Sequence, residues 1–167
     1  MKEKTEQNLK DAFAGESQAH MKYLIFADKA EVENLPNAAR LFRANSNAEQ
    51  IHAINHLKAL HGIGKTVENL QAAIEGETFE VEEMYPDYIR VAEDEQEKHA
   101  ETTTRWALAA EKVHAELYKK AKESVAKGQD VDIEQIHVCQ VCGFTVEGEA
   151  PDKCPVCGSP KEKFKRF

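Results

Sequence analysis

Glu49-Gln50-Ile51-His52 and Glu111-Lys112-Val113-His114 stand 62 residues apart in a chain of 167, and their reading decides the fold. Three residues apart on a helix, a glutamate and a histidine share one face. One Glu-x-x-His means little by itself. With 23 Glu and 7 His in the chain, chance supplies roughly one, and exposed helix faces favour glutamate. A third copy, Glu134/His137, falls in Asp130-Val-Asp-Ile-Glu-Gln-Ile-His-Val138; its apolar alternation reads as a strand, so it is set aside.

The two remaining copies lie on helical stripes that match across the chain. Four helical patterns precede residue 130, over about 4–33, 36–60, 66–95 and 98–127. Pro36 opens the second pattern, His61-Gly-Ile-Gly-Lys65 breaks it, Thr66 begins the third, Pro86 bends that one, and Gly128 stops the fourth. Their length and number predict an all-α four-helix bundle. The inward stripes run Leu9, Phe13, Glu16, His20, Tyr23; Phe42, Asn45, Glu49, His52, His56; Ala73, Gly76, Glu80, Glu83, Asp87; and Thr104, Ala107, Glu111, His114, Tyr118. Carboxylates sit where hydrophobes belong. Burying several at one level costs many kcal/mol unless cations are shared among them. One Glu from each of two helices, with Glu-x-x-His from each of the others, is the donor pattern of dinuclear iron and manganese carboxylate bundles. On the third helix the facing pattern favours Glu80 and Glu83. The match of Gly15-Glu16-Ser17 to Gly76-Glu77-Thr78 keeps Glu77 as a third candidate.

Composition separates the last segment from the rest. Three of five prolines and all four cysteines lie beyond residue 138, which predicts a bundle over 1–130 and a small appendage over 131–167. Cys139-Gln-Val-Cys142-Gly and Cys154-Pro-Val-Cys157-Gly form two knuckles whose thiolates can surround one tetrahedral ion, iron or zinc. So short a segment buries too little core to fold unaided, and the metal supplies much of its stability. A net charge of -8 argues against nucleic-acid binding. No apolar run is long enough to span a bilayer, and the charged start lacks the pattern of a secretory leader. A cytoplasmic protein is expected.

These motifs together resemble the rubrerythrins, and the resemblance covers essentially the whole chain. It rests on Phe13-Ala-Gly-Glu-Ser-Gln-Ala19, Glu49-x-x-His52, Glu80-Val-Glu-Glu83-Met-Tyr-Pro86, Glu111-x-x-His114 and the two cysteine knuckles. It implies a ferritin-like di-iron bundle followed by a rubredoxin-like β/loop domain, with one iron held by Cys139, Cys142, Cys154 and Cys157 and zinc as the alternative. It also implies bridging roles for Glu49 and Glu111. Glu16 and Glu83 would serve one iron, with His52 exchanging for Glu83, and Glu80 and His114 would serve the other. Tyr23 and Tyr88 match tyrosines near the family's cluster, and Tyr23, His52 and Glu83 are the expected catalytic residues.

The activity so implied is reduction of hydrogen peroxide to water at a non-haem di-iron site. Electrons would come through the cysteine-bound iron from a rubredoxin or an NAD(P)H-dependent reductase. An iron-storage protein and a non-enzymatic zinc-ribbon module are the alternatives. Ferritin-like bundles run their second and third helices parallel, which demands a crossover of bundle length. A 25-residue helix is about 38 Å long, whereas His61 to Lys65 spans at most about 18 Å. A homodimer with exchanged helices is therefore expected.

Overall fold

Helix α1 spans Glu3–Val32 and α2 spans Pro36–Ala59, with Pro36 in the first turn, where its missing N–H breaks no bond. The computed structural model describes residues 1–167, and its contacts divide them into two units, Met1–Gly64 and Lys65–Phe167. The α1–α2 hairpin makes up most of the first unit. Its buried positions are small, namely Ala27, Ala30, Ala39, Ser46 and Ala53, which lets the two helices approach closely. The Ser46 hydroxyl donates to the His20 carbonyl at 2.9 Å. Two helices cannot enclose a core by themselves, and Met21, Ile25, Leu41 and Ile51 are all at least half exposed.

In the second unit α3 (Thr66–Phe79) runs through a π-helical turn, Glu80–Met84, into α4 (Tyr85–Asp94), and α5 (Lys98–Ala126) packs along all three. The interruption expected at Pro86 takes the form of this wide turn. Proline has no N–H to give, and its ring crowds the carbonyl one helical turn back. The backbone widens instead, so that the Tyr85 N–H donates to the Glu80 carbonyl, five residues earlier. Left-handed residues end the helices. Asn34, His61, Gln96 and Gly128 have φ between 55° and 75°. After each of them the next N–H reaches back five positions, as from Leu35 to Ala30 at 2.8 Å and from Gln129 to Ser124 at 3.2 Å.

The tail forms a three-stranded antiparallel sheet in the order β2-β1-β3: β1 is Ile136–Cys139, β2 Thr145–Glu147 and β3 Phe164–Arg166. His137, from the discarded Glu-x-x-His, lies on β1 with its Nδ1 at 2.7 Å from the Gly148 carbonyl. Within the second unit, β2 lies against α5, and Lys120 pairs with Glu147 at 2.7 Å. No helix is long and apolar enough to cross a membrane.

Candidate metal centres

Two triads of the same composition emerge, one in each unit: Glu16, Glu49 and His52 on α1 and α2, and Glu77, Glu111 and His114 on α3 and α5. In each, the donor atoms lie within 4.8 Å of one another. The i,i+3 spacing has the expected consequence. His52 Nδ1 lies 2.9 Å from Glu49 Oε2 and 3.8 Å from Glu16 Oε1. His114 Nδ1 lies 2.6 Å from Glu111 Oε2 and 3.8 Å from Glu77 Oε1.

The third helical pattern needs a correction. Its half-buried and buried positions include Leu70, Ala73, Glu77, Glu80, Tyr85, Ile89 and Ala92, with Val81 and Met84 half-buried on the turn between them. The five-residue step from Glu80 to Tyr85 crosses the π turn and throws a stripe drawn at α-helical spacing out of phase. Glu83 and Asp87 consequently lie on the exposed side, where Asp87 pairs with Arg90 at 2.6 Å. Glu77 takes the place in the triad. Glu80 stands beside it, close enough to feel the charges of Glu77 and His114. The sequence did carry a signal for Glu77: offsets of 61, 62 and 62 residues relate Glu16, Glu49 and His52 to Glu77, Glu111 and His114. Moreover, a side chain at Gly15 or Gly76 would meet nothing within 4 Å, so packing does not explain the matching Gly-Glu pairs.

Tyr85 stands within the motif Glu80–Pro86, but no role for it was legible in the sequence. Burial, and then the charges of Glu80, Glu111 and Glu77, hold its hydroxyl above the ordinary phenol range, which places it beside the second triad. Tyr23 instead packs against Phe26 and Phe42, with ring centroids 6.3 and 6.2 Å away. Tyr88 is half exposed against Tyr85.

The donor set fits metal ions, because its carboxylates crowd one another. Desolvation, then a shared hydrogen bond with Glu111 and repulsion from it, pushes Glu77 up to about 7. Burial also raises Glu111. In the first triad Glu16 is raised, chiefly by its hydrogen bond with Glu49, and Glu49 is lowered by the same bond. Without a cation, the crowding in each pair favours a proton held between its carboxylates. The sign of the consequence is fixed. A carboxyl whose folded pKa lies above its unfolded one stabilises the fold most at low pH, and that stability is lost as pH rises. The melting temperature of chelator-treated protein is therefore expected to fall between pH 5 and pH 8, and Glu77→Gln to flatten the fall. A wild-type profile already flat across this window would contradict the shared-proton reading.

The cysteine site is assembled by two equivalent knuckles. Gly143 and Gly158, with φ of 79° and 75°, turn the chain so that their N–H groups return to the carbonyls of Cys139 and Cys154, both at 2.9 Å. The Cys139 and Cys154 N–H groups in turn donate to the Phe144 and Ser159 carbonyls. Cys139 Sγ lies 3.7 Å from Cys157 Sγ and Cys142 Sγ 3.5 Å from Cys154 Sγ, spacings that suit one tetrahedral ion. Burial pushes the Cys142 thiol well up. At Cys157 burial acts in the same direction but is outweighed by hydrogen bonding with the Ser159 hydroxyl and N–H and with neighbouring thiols, leaving it at about 6. A metal resolves this mismatch by taking all four as thiolates.

A helical chain with paired Glu/Glu/His triads and a four-cysteine tail defines a carboxylate-bundle metalloprotein with an appended thiolate centre. The family profile described as Rubrerythrin matches residues 7–122, and that described as Rubrerythrin, rubredoxin-like domain matches residues 137–165. The chain is 42% identical to Rubrerythrin-2 of Clostridium acetobutylicum, over 95% of its own length and 94% of that protein's. It is 34% identical to Nigerythrin of Nitratidesulfovibrio vulgaris, over 98% and 86%. A solved structure of nigerythrin in its fully reduced, all-ferrous state matches with a TM-score of 0.54 at 35% identity, over 98% of this chain and 86% of that one. The chain belongs to the rubrerythrin family, with a ferritin-like helical part and a rubredoxin-like tail.

Proposed function

We infer that the protein is a peroxide-reducing oxidoreductase in which Glu16, Glu49, His52, Glu77, Glu111 and His114 hold a pair of irons and the four cysteines hold a third. The observation that carries this reading is the duplication of one triad, with the same three residue types in the same arrangement. When bound, a ferrous pair supplies the two electrons that split the O–O bond of hydrogen peroxide, with two protons taken up and two waters formed. A single ferrous ion supplies one electron and releases a hydroxyl radical, so duplication has a chemical reason.

The chain's own residues divide the remaining work. His114 is fixed at both ring nitrogens, by Glu111 and by Thr145. His52 touches only Glu49 and Glu16 and is half exposed. Glu80 is a supernumerary carboxylate on the π turn. The ligand exchange implied by resemblance for His52 and Glu83 therefore passes to His52 and Glu80. Imidazole suits a ferrous ion and carboxylate a harder ferric one, so a half-exposed histidine and a spare glutamate would allow both oxidation states to be held. Tyr85 lies near enough to these carboxylates to feel their charge; Tyr23 retains a packing role on α1.

The tail, residues 131–167, would pass electrons singly from a rubredoxin or an NAD(P)H-dependent reductase. The short His61–Lys65 connector and the exposed Ile25, Leu41 and Ile51 support a homodimer with exchanged helices, in which each iron pair takes one triad from each chain. Anaerobic titration of the iron-loaded protein tests the activity. One peroxide is expected to oxidise two bundle irons without hydroxyl radical, whereas one iron per peroxide with trapped radical refutes the reading. A folded, metal-replete monomer at micromolar concentration refutes the exchanged dimer separately.

A further inference from the structure

His114 and His52 occupy equivalent places in their triads, yet only His114 is tied to the tail. Its Nε2 lies 2.8 Å from the Thr145 hydroxyl, the first residue of β2. Thr145 is only 5% exposed, and Leu70, Leu117, Ile133 and Ile136 line the groove of about 350 Å³ beside this contact. Tertiary packing made this bond, 31 residues apart in sequence.

A threonine hydroxyl has one proton to give. At Thr145 that proton goes to the Gly143 carbonyl at 3.2 Å, so toward the imidazole the oxygen is an acceptor. With the hydrogen on Nε2, Nδ1 offers its lone pair to an ion held between Glu77 and Glu111; without an ion, its 2.6 Å contact with Glu111 Oε2 holds a proton between the two atoms. Hydrogen on Nε2 is the tautomer a metal ligand requires, and an outer hydrogen bond of this kind fixes ring orientation and raises ligand basicity. The Gly143 carbonyl is also one peptide unit from Cys142. A continuous path of bonds therefore runs from the Cys142 sulfur along the backbone to Gly143, across to the Thr145 hydroxyl, and on to the His114 ring.

We propose that Thr145 is a positioning residue with two tasks: it locks His114 in its ligating tautomer, and it is the crossing point by which the tail passes electrons to the α3–α5 triad of its own chain. The second task rests on the redox function proposed above; the first does not. In the transfer, a thiolate-bound ferrous ion becomes ferric, a ferric ion on the triad becomes ferrous, and no atom changes place.

The test uses the full chain with Thr145→Val, which keeps the shape and loses the hydroxyl, and Thr145→Ser, which keeps the hydroxyl. In metal-free protein titrated with Co(II), the valine variant is expected to bind one bundle equivalent about 10–100-fold more weakly, while serine restores binding. The cobalt–thiolate absorption of the tail reports that it remains folded. With the wild-type chain loaded with zinc, NMR is expected to show a slowly exchanging His114 Nε2–H; its absence overturns the proposal without recourse to any variant. In iron-loaded protein, the valine variant should slow transfer from pre-reduced tail to oxidised bundle by at least about tenfold. Unchanged cobalt affinity in the valine variant overturns the positioning task, and an unchanged transfer rate the crossing. If no transfer occurs in wild type, the proposed redox function fails, and the cobalt titration and NMR still decide the positioning task.

Discussion

Replacing Glu77 with alanine is expected to remove one bundle metal equivalent and weaken binding at the second triad by about 100-fold or more, while Glu83→Ala leaves metal content unchanged. Glu77 lies on the half-buried face of α3, 3.8 Å from His114 Nδ1 and hydrogen-bonded with Glu111. Removing it leaves Glu111 and His114 as two donors for an ion that wants more. Loss of a mere outer partner costs a metal site about 10–100-fold, and loss of a direct donor costs at least the upper end of that range. Glu83 is exposed, on the π turn itself. Glu80→Ala should behave differently from both, retaining two bundle irons but altering the rate at which peroxide oxidises them. Metal analysis after anaerobic dialysis, followed by stopped-flow oxidation, distinguishes the three variants. Loss of iron from Glu83→Ala with retention in Glu77→Ala would return the assignment to the α-helical stripe.

Cys154→Ser is expected to uncouple the two metal centres. Cys154 is buried at 3% exposure, and its N–H and carbonyl both close the second knuckle. A tail of three short strands has little else to hold it. Metal binding in comparable small folds contributes on the order of 10 kcal/mol, so weakening the tetrad should leave β1–β3 open to rapid amide exchange. The bundle should still react once with peroxide and then stop, because the path back for electrons has been removed. Red thiolate–iron colour, amide exchange and multiple-turnover peroxide consumption measure the three effects. Sustained turnover without the colour would remove the relay from the tail's functions.

The sequence by itself determined the four helical patterns, the cysteine knuckles and the two Glu-x-x-His pairs, because each depends on short-range spacing. Pro36 and Gly128 mark helix ends through their own backbone chemistry, and positions three apart on a helix meet whatever surrounds them. The clustering of Glu16, Glu49 and His52, of Glu111 and His114, and of the four thiols was legible for that reason. The choice among Glu77, Glu80 and Glu83 was not. It depends on how the backbone relieves Pro86, and the π turn adds a residue that helical periodicity does not count. Tyr85 was hidden by the same shift. Thr145 lay further out of reach, since nothing in a threonine after Gly-Phe announces a histidine 31 residues earlier. Only packing β2 against α5 brings them together. Local spacing selected the donors; the tertiary structure decided which face they share and what holds them there.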